Sequence, residues 1–242
     1  MRSTFLGLET ARKGLVANQK GLDVTGQNIT NVNTEGYTRQ RIDTVSVSSI
    51  TNSNIKALGT SAVGQGVLVS GVSQVRDKQL DLRFRSEMSE TAYYDKTISI
   101  LDGLETILNE LDSGIQPIYS GFISALQDLS VYPDQVTNAN IVLSNAKSVT
   151  QILRHYSSQL DQLKGQYNTD LNIDVENTNT LIKKITELNT AIKNELGQNT
   201  SEHDTSNVNE LLDKRNLLLD ELSQYGNISS QENNDGSLNV SF

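Results

Sequence analysis

Between residues 4 and 32, apolar side chains recur at Leu8, Leu15, Leu22 and Ile29, with Phe5 ahead of them, at a strict seven-residue spacing. The companion row that a two-sided seam requires falls on Phe5, Arg12, Gln19 and Gly26, so only one row of the heptad is apolar. Gly7, Gly14, Gly21 and Gly26 each cost up to about 1 kcal/mol of helix propensity relative to alanine. The pattern predicts a helix that is marginal alone and needs a partner. No neighbouring segment supplies a comparable unpaired helix, so the expected packing of the Leu8, Leu15, Leu22 and Ile29 row is intermolecular.

The next segments lose this period. Residues 42 to 62 are rich in Ser, Thr and Asn, with short alternations at Ile42, Val45 and Val47, and read as a loose hairpin or extended loop. In GQGVLVSGV, residues 64 to 72, Val67, Val69 and Gly71 alternate with Leu68, Ser70 and Val72, which predicts a strand. From Val75 the period becomes helical. Leu101, Leu104, Leu108 and Leu111 follow a 3-4-3 spacing, with Phe84, Met88 and Tyr94 upstream. Gly114 and Pro117 punctuate this helix, a second carries Ile118, Phe122, Leu126 and Leu129, and Pro133 ends it.

The longest periodic row runs through Val142, Ala146, Val149, Leu153, Tyr156, Leu160, Leu163 and Tyr167, then Leu171, Val175, Thr178, Ile182, Ile185, Asn189, Ile192 and Leu196. Consecutive steps of four around Tyr167, Leu171 and Val175 form a stutter, which relaxes a left-handed supercoil. Unbroken, residues 135 to 196 would make a rod about 90 Å long at roughly 1.5 Å per residue, with Gly165 as its weak point. The segment GQNTSEHDTSN breaks it, and Asn207 with Glu210 reads as an N-cap and its partner for a helix over 208 to 223. There Leu211, Leu212, Leu218, Leu219 and Leu222 give an apolar face, and Glu210 with Lys214 an i,i+4 pair. Two short runs around Asn-Asp-Gly close the chain and predict a hairpin, which alone is marginal in water, so a longer protein is expected.

Composition narrows the chemistry. Only 36% of the residues are hydrophobic and 5% aromatic, thin for a compact core of 242 residues but suited to helices that bury one stripe each. A formal net charge of -9 opposes the positive footprint that nucleic acid demands. No apolar run approaches the roughly 18 residues of a membrane span, and the N-terminus lacks the apolar region of a secretory signal. The absence of cysteine excludes disulfides and thiolate metal sites. The glycines of residues 64 to 71 precede or interrupt a strand and do not match a dinucleotide fingerprint. His203, beside Glu202 and Asp204, lacks a preorganised ligand set, and no nucleophile has an adjacent base held by a third group. The expected state is no enzyme activity, no metal and no cofactor.

One stretch has turn formers but no ligand set. LDVTGQNITNVNTEGYTRQ, residues 22 to 40, resembles the N-terminal signature of flagellar axial proteins, a heptad helix followed by N-I-A-N-x-N-T-P-G-Y. Asn28, Asn31, Asn33, Thr34, Gly36 and Tyr37 match it; Thr30 stands where alanine is common and Glu35 where proline is common. Thr38-Arg39-Gln40, the GQGVLVSGV strand with Arg76 and Asp77, and NELLDKRNLLLDELSQYGNIS resemble more narrowly the family of hook-associated protein 1, the first hook-filament junction protein. The resemblance implies a mainly α fold, an elongated bundle of long coiled-coil-like helices. A small hairpin or extended segment follows the first helix, and a β-rich domain starts at the end.

It divides the chain into an inner-tube helix with its turn and strand (1–75), a long-helix rod (76–225) and the start of a β-rich domain (226–242). It implies a structural subunit that self-assembles in a helical axial array and contacts the hook protein, the second junction protein and the filament, with an export chaperone. Export without a cleaved signal peptide would place it outside the cell, at the hook-filament junction. Phe5, Leu8, Leu15, Leu22 and Ile29 would be the assembly stripe, and Asn28, Asn31, Asn33, Thr34, Gly36, Tyr37 and Arg39 the motif of the joint below it. Another axial rod or hook protein, or a secreted helical binding module, is the alternative.

Overall fold

The computed structural model describes residues 5–47, 65–109, 115–198 and 206–242. The element order is α1 (Phe5–Thr30), β1 (Gln40–Ser46), β2 (Val67–Gln74), α2 (Lys78–Asn109), α3 (Ile115–Val131), α4 (Val136–Gln198), α5 (Ser206–Leu222), β3 (Ser229–Glu232) and β4 (Leu238–Ser241). The fold is mainly α, as the periodicity predicts. Most of the expected loop over 42 to 62, together with Leu111, Gly114 and His203, lies outside the described residues. The chain forms two compact units, one of residues 1–89 and 180–242, the other of 90–179.

In the first unit β1 and β2 pair antiparallel from Gln40 opposite Gln74 to Ser46 opposite Val67, with a bulge between Asp43 and Thr44. The hydroxyl of Ser70, left unpaired by the bulge, donates to the Asp43 carbonyl at 3.0 Å. The core gathers Leu181 and Ile185 of α4, Leu219 and Leu222 of α5, and Ile228, with Leu218, Leu238 and Val240 packed against them. The hairpin β3–β4 is therefore supported by this core, which supplies the partner that an isolated hairpin lacks. Its turn depends on Gly236 at φ +79, and a Cβ there would lie 2.4 Å from Leu196 Cδ1. Asn189 pins the second strand by a two-way bond, donating to the Leu238 carbonyl at 2.9 Å and accepting from its N–H at 3.1 Å.

The second unit is built on Ile107 of α2 and Ile152 and Tyr156 of α4, with Ile118 of α3 and Leu163 packed alongside. Gly103 permits close approach there, since a Cβ would meet Leu163 Cδ1 at 3.2 Å. The hydroxyl of Tyr167 donates to the Ser99 carbonyl at 2.9 Å.

Two expectations change at the level of detail. Helix α4 is unbroken through Gly165, and its covered row follows the predicted one in part. Ile152, Tyr156, Leu163, Tyr167, Asp174, Thr178, Leu181 and Ile185 are buried or half-buried, while Leu153, Leu160, Leu171, Val175 and Ile182 are exposed. From Ile152 the covered row advances in steps of four, three and four, an eleven-residue repeat at about 3.67 residues per turn that suits nearly straight helices. The predicted row shares Tyr156, Leu163, Tyr167, Thr178 and Ile185 with it, while Leu153, Leu160, Leu171, Val175 and Ile182 fall beside it and face solvent. Helix α2 is capped by Asp77, whose Oδ1 accepts from the Gln79 N–H at 2.9 Å. Asn207, expected as the cap of α5, already lies inside that helix and donates to Glu195 Oε1 at 3.4 Å.

Candidate assembly surface and its joint

Helix α1 has two faces of different chemistry. Thr10, Ala17, Gly21 and Val24 form a row against the β1–β2 hairpin; Ala17 and Val24 are only 6% and 8% exposed, and a Cβ on Gly21 would stand 3.5 Å from Ile42 Cδ1. Leu22 sits two residues from Val24, about 200° around a helix that turns roughly 100° per residue, and so faces away. Phe5, Leu8, Leu15, Leu22 and Ile29 are all between 68% and 74% exposed. The intramolecular contact thus uses a row that hydrophobicity alone hides, because small residues that let backbones approach carry little apolar signal.

Below the helix, Asn28 closes the joint. Its Nδ2 donates to the Gln40 carbonyl at 2.8 Å, and its Oδ1 accepts from the Gln40 N–H at 2.8 Å and from the Tyr37 hydroxyl at 2.9 Å. One carboxamide thereby pairs with the backbone at the start of β1 as a neighbouring strand would. Asn31 turns the chain. Its N–H and Nδ2 both donate to the Gln27 carbonyl, at 3.1 and 3.0 Å, and its Oδ1 accepts from Thr34 Oγ1 at 3.2 Å.

Among the described residues no non-glycine residue has positive φ, so the asparagines act through their side chains and not as left-handed turn residues. Gly36 alone in this turn takes that conformation, at φ +76, and a Cβ on it would stand 3.3 Å from Leu217 Cβ of α5. Asn33, Glu35 and Arg39 are exposed. The Tyr37 hydroxyl is engaged by Asn28 within its own chain, and burial raises its pKa, with the charge of Asp213 adding to the shift.

Helix α5 backs the joint. Asp213 is buried and accepts from Thr38 through side chain and backbone and from Gln74 Nε2 at 2.8 Å. Burial outweighs these bonds and the nearby Arg76 charge, and holds the Asp213 carboxyl above its ordinary value. Asn209 Nδ2 donates to the Val72 carbonyl at 2.9 Å, and Arg76 reaches Thr38 Oγ1 at 3.2 Å and Asp81 at 2.6 Å. Asp220 receives the buried Arg85 at 2.7 Å. The ties of Asp213, Asn209 and Asp220 to Thr38, Gln74, Val72 and Arg85 join residues more than a hundred positions apart, and no local spacing announces them.

Between the turn and α5 lies a cleft of about 480 Å³, whose lining includes Glu35, Tyr37, Gln40, Glu210, Asp213 and Lys214. Among the described residues no group of three potential metal ligands converges, and no helix is long and apolar enough to cross a membrane. The arrangement offers an apolar stripe, a rigidly tied turn and a polar cleft.

Residues 101–242 match the family model described as flagellar hook-associated protein FlgK helical domain, and residues 8–38 that of the flagella basal body rod protein. The chain is 32% identical over 240 residues to flagellar hook-associated protein 1 of Bacillus subtilis strain 168, an alignment that covers 98% of this chain and 46% of that relative. Its identity to flagellar hook-associated protein 1 of Escherichia coli K12 is 27% over 242 residues, covering 97% and 41%. To the protein of that name in Salmonella typhimurium it is 24% over 232 residues, covering 96% and 40%. The chain thus spans less than half the length of these relatives.

Proposed function

From the premise that this chain belongs to the flagellar hook-associated protein FlgK family, we propose that it is a non-catalytic structural subunit that joins hook to filament outside the cell. In this reading residues 1–75 enter the inner tube, residues 76–225 stand outside it as a helical rod, and residues 226–242 lead into a β-rich domain. The observation that carries the assignment is the row Phe5, Leu8, Leu15, Leu22 and Ile29. A helix whose other face is already packed on its own hairpin presents this row to solvent, and burying one such leucine is worth about 1.5–3 kcal/mol. A C-terminal helix of the longer protein and the α1 helices of neighbouring copies cover it in the array.

The turn of Asn28, Asn31, Thr34, Gly36 and Tyr37 sets the angle at which α1 leaves the rod. The hook protein, the second junction protein and the filament are the proposed neighbours, reached by flagellar export without a cleaved signal and with a chaperone's help. The test is imaging of tagged full-length protein in a strain lacking its own copy. The expected signal is a focus at the hook tip and restored motility. Full restoration by a protein deleted for residues 1–30 would remove the inner-tube role, and a signal away from the flagellum would remove the junction role.

A further inference from the structure

The cleft beneath the joint carries chemistry that the assembly stripe does not use. Its lining holds the carboxylates of Glu35, Glu210 and Asp213 against a single cation, Lys214, and Lys214 is already held by Glu210 at 2.7 Å. Three negative side chains against one positive leave an excess of two negative charges. A carboxylate cluster by itself is commonly just solvated. Gln40 adds an independent observation. Its backbone N–H and carbonyl are both engaged by Asn28, the residue is only 6% exposed, and it lines the cleft. Among the described residues its side-chain amide has no hydrogen-bond partner, and neither amide atom is fully enclosed, so donor and acceptor are open to the cleft.

The same short segment carries the complementary group. Thr38 and Gln40 are buried while Arg39 and Arg41 are exposed, the alternation of an extended chain, and the Arg39 carbonyl continues the ladder by accepting from the Val75 N–H at 2.8 Å. Arg41 is paired with Asp43 at 3.4 Å, whereas Arg39 has no ion pair among the described residues. One stretch therefore presents an acceptor site on one side and an unneutralised guanidinium on the other. Self-complementary chemistry on opposite sides makes head-to-tail contacts between copies.

We propose that the cleft receives the Arg39 guanidinium of a second copy of this chain, with Glu35 and the Gln40 Oε1 as its acceptors. The planar fork of N–H donors suits a carboxylate and an amide carbonyl that line the same cleft. The charge of an entering cation also opposes the effect of burial, which holds the Asp213 carboxyl above its ordinary value. Glu35, at the position where the resembling signature commonly has proline, gains a role as the gatepost of this site. The proposal rests on the self-assembly reading above and adds to it a specific partner.

The experiment uses full-length protein in a strain lacking its own copy, with a photo-cross-linking benzoylphenylalanine at Lys214. Mixed isotope labelling separates contacts between copies from those within one. The expected product links position 214 to the peptide containing Arg39 of another copy. Arg39→Glu and Glu35→Arg alone should each lower its yield at least ~10-fold, and together should restore it to within about 2-fold, since like charges repel and the swapped pair attracts. Both residues are exposed, so thermal midpoints should not move. If a reversal does lower the midpoint, the neutral variants Arg39→Gln and Glu35→Gln replace it and must still lower the yield. A product that omits the Arg39 peptide, a link only to a different protein, or no rescue by the swapped pair overturns the contact. Unaltered protein at the hook tip without an Arg39-dependent product sinks this contact alone; unaltered protein absent from the hook tip sinks the assembly reading.

Discussion

Replacing Asn28 by alanine removes three hydrogen bonds at one stroke, two to the Gln40 backbone at 2.8 Å each and one from the Tyr37 hydroxyl at 2.9 Å. A typical intramolecular hydrogen bond contributes about 0.5–1.5 kcal/mol net. Part of that is recovered, because the site is only partly buried and water reaches some of the freed groups. The expected loss is about 2–3 kcal/mol of local stability, concentrated where α1 meets β1. A global unfolding midpoint is the wrong instrument, since a chain with two units need not unfold in one step. Amide exchange reads the joint directly. In the parent the Gln40 N–H is held by Asn28 Oδ1, so its exchange should accelerate about 30- to 150-fold in Asn28→Ala, at roughly 1.4 kcal/mol per factor of ten. Amides of β1 and β2 near Gln40 and Gln74 should follow, while those around Leu181, Ile185 and Leu219 should not. Unchanged protection of Gln40, or an equal loss throughout α4 and α5, would refute the assignment of Asn28 as a local clasp.

Gly36→Ala should cost about 1–2 kcal/mol from the left-handed backbone alone, plus the displacement of Leu217, and Gly236→Ala more, because its Cβ would overlap Leu196; urea midpoints rank the two, and equal or absent effects would contradict the geometry. For Asp213 the sign follows from a folded-state pKa raised above 3.8. The native state holds this proton more tightly than the unfolded chain, so the group favours folding most at acid pH and loses that advantage as pH rises from the unfolded value through the folded one. The stability of Asp213→Asn relative to the parent should therefore improve across that window and level off above it, and a difference independent of pH in urea titrations would rule this out. Leu15→Asp and Leu22→Asp, at largely exposed positions, should change monomer stability by no more than about 0.5 kcal/mol while abolishing junction assembly. Val24→Asp, two residues from Leu22, should instead unfold the α1 contact by burying a charge, a contrast that circular dichroism and motility assays together resolve.

How much of this was legible in advance depends on the residue. The α1 row, the helices, the pairing of Glu210 with Lys214 at 2.7 Å and the turn at Gly236 follow from periodicity and turn chemistry, which act over a few residues. The joint was recognisable as a place where a helix stops, yet its mechanism was not, because Asn28 and Gln40 are 12 residues apart and a carboxamide that grips a backbone looks no different in sequence from one facing water. Asn189 illustrates the same limit. Its place in a periodic row gave it a seam role, and its function is to bind Leu238, 49 residues away.

By itself, then, the sequence determined which segments are helical, where turns interrupt them and that one face of α1 is apolar, since hydrophobic period and backbone preference are properties of neighbouring residues. Only the tertiary structure decided at which positions the covered row of α4 departs from the predicted one. Ile152 and Leu153 differ by one position and about 100° around the helix, and both are apolar enough to be chosen. The choice falls to what packs opposite, and the same holds for Arg85 and Arg215, cations buried at 6% and 3% exposure only because Asp220, Asn189 and the Gly236 carbonyl are brought to them by the fold.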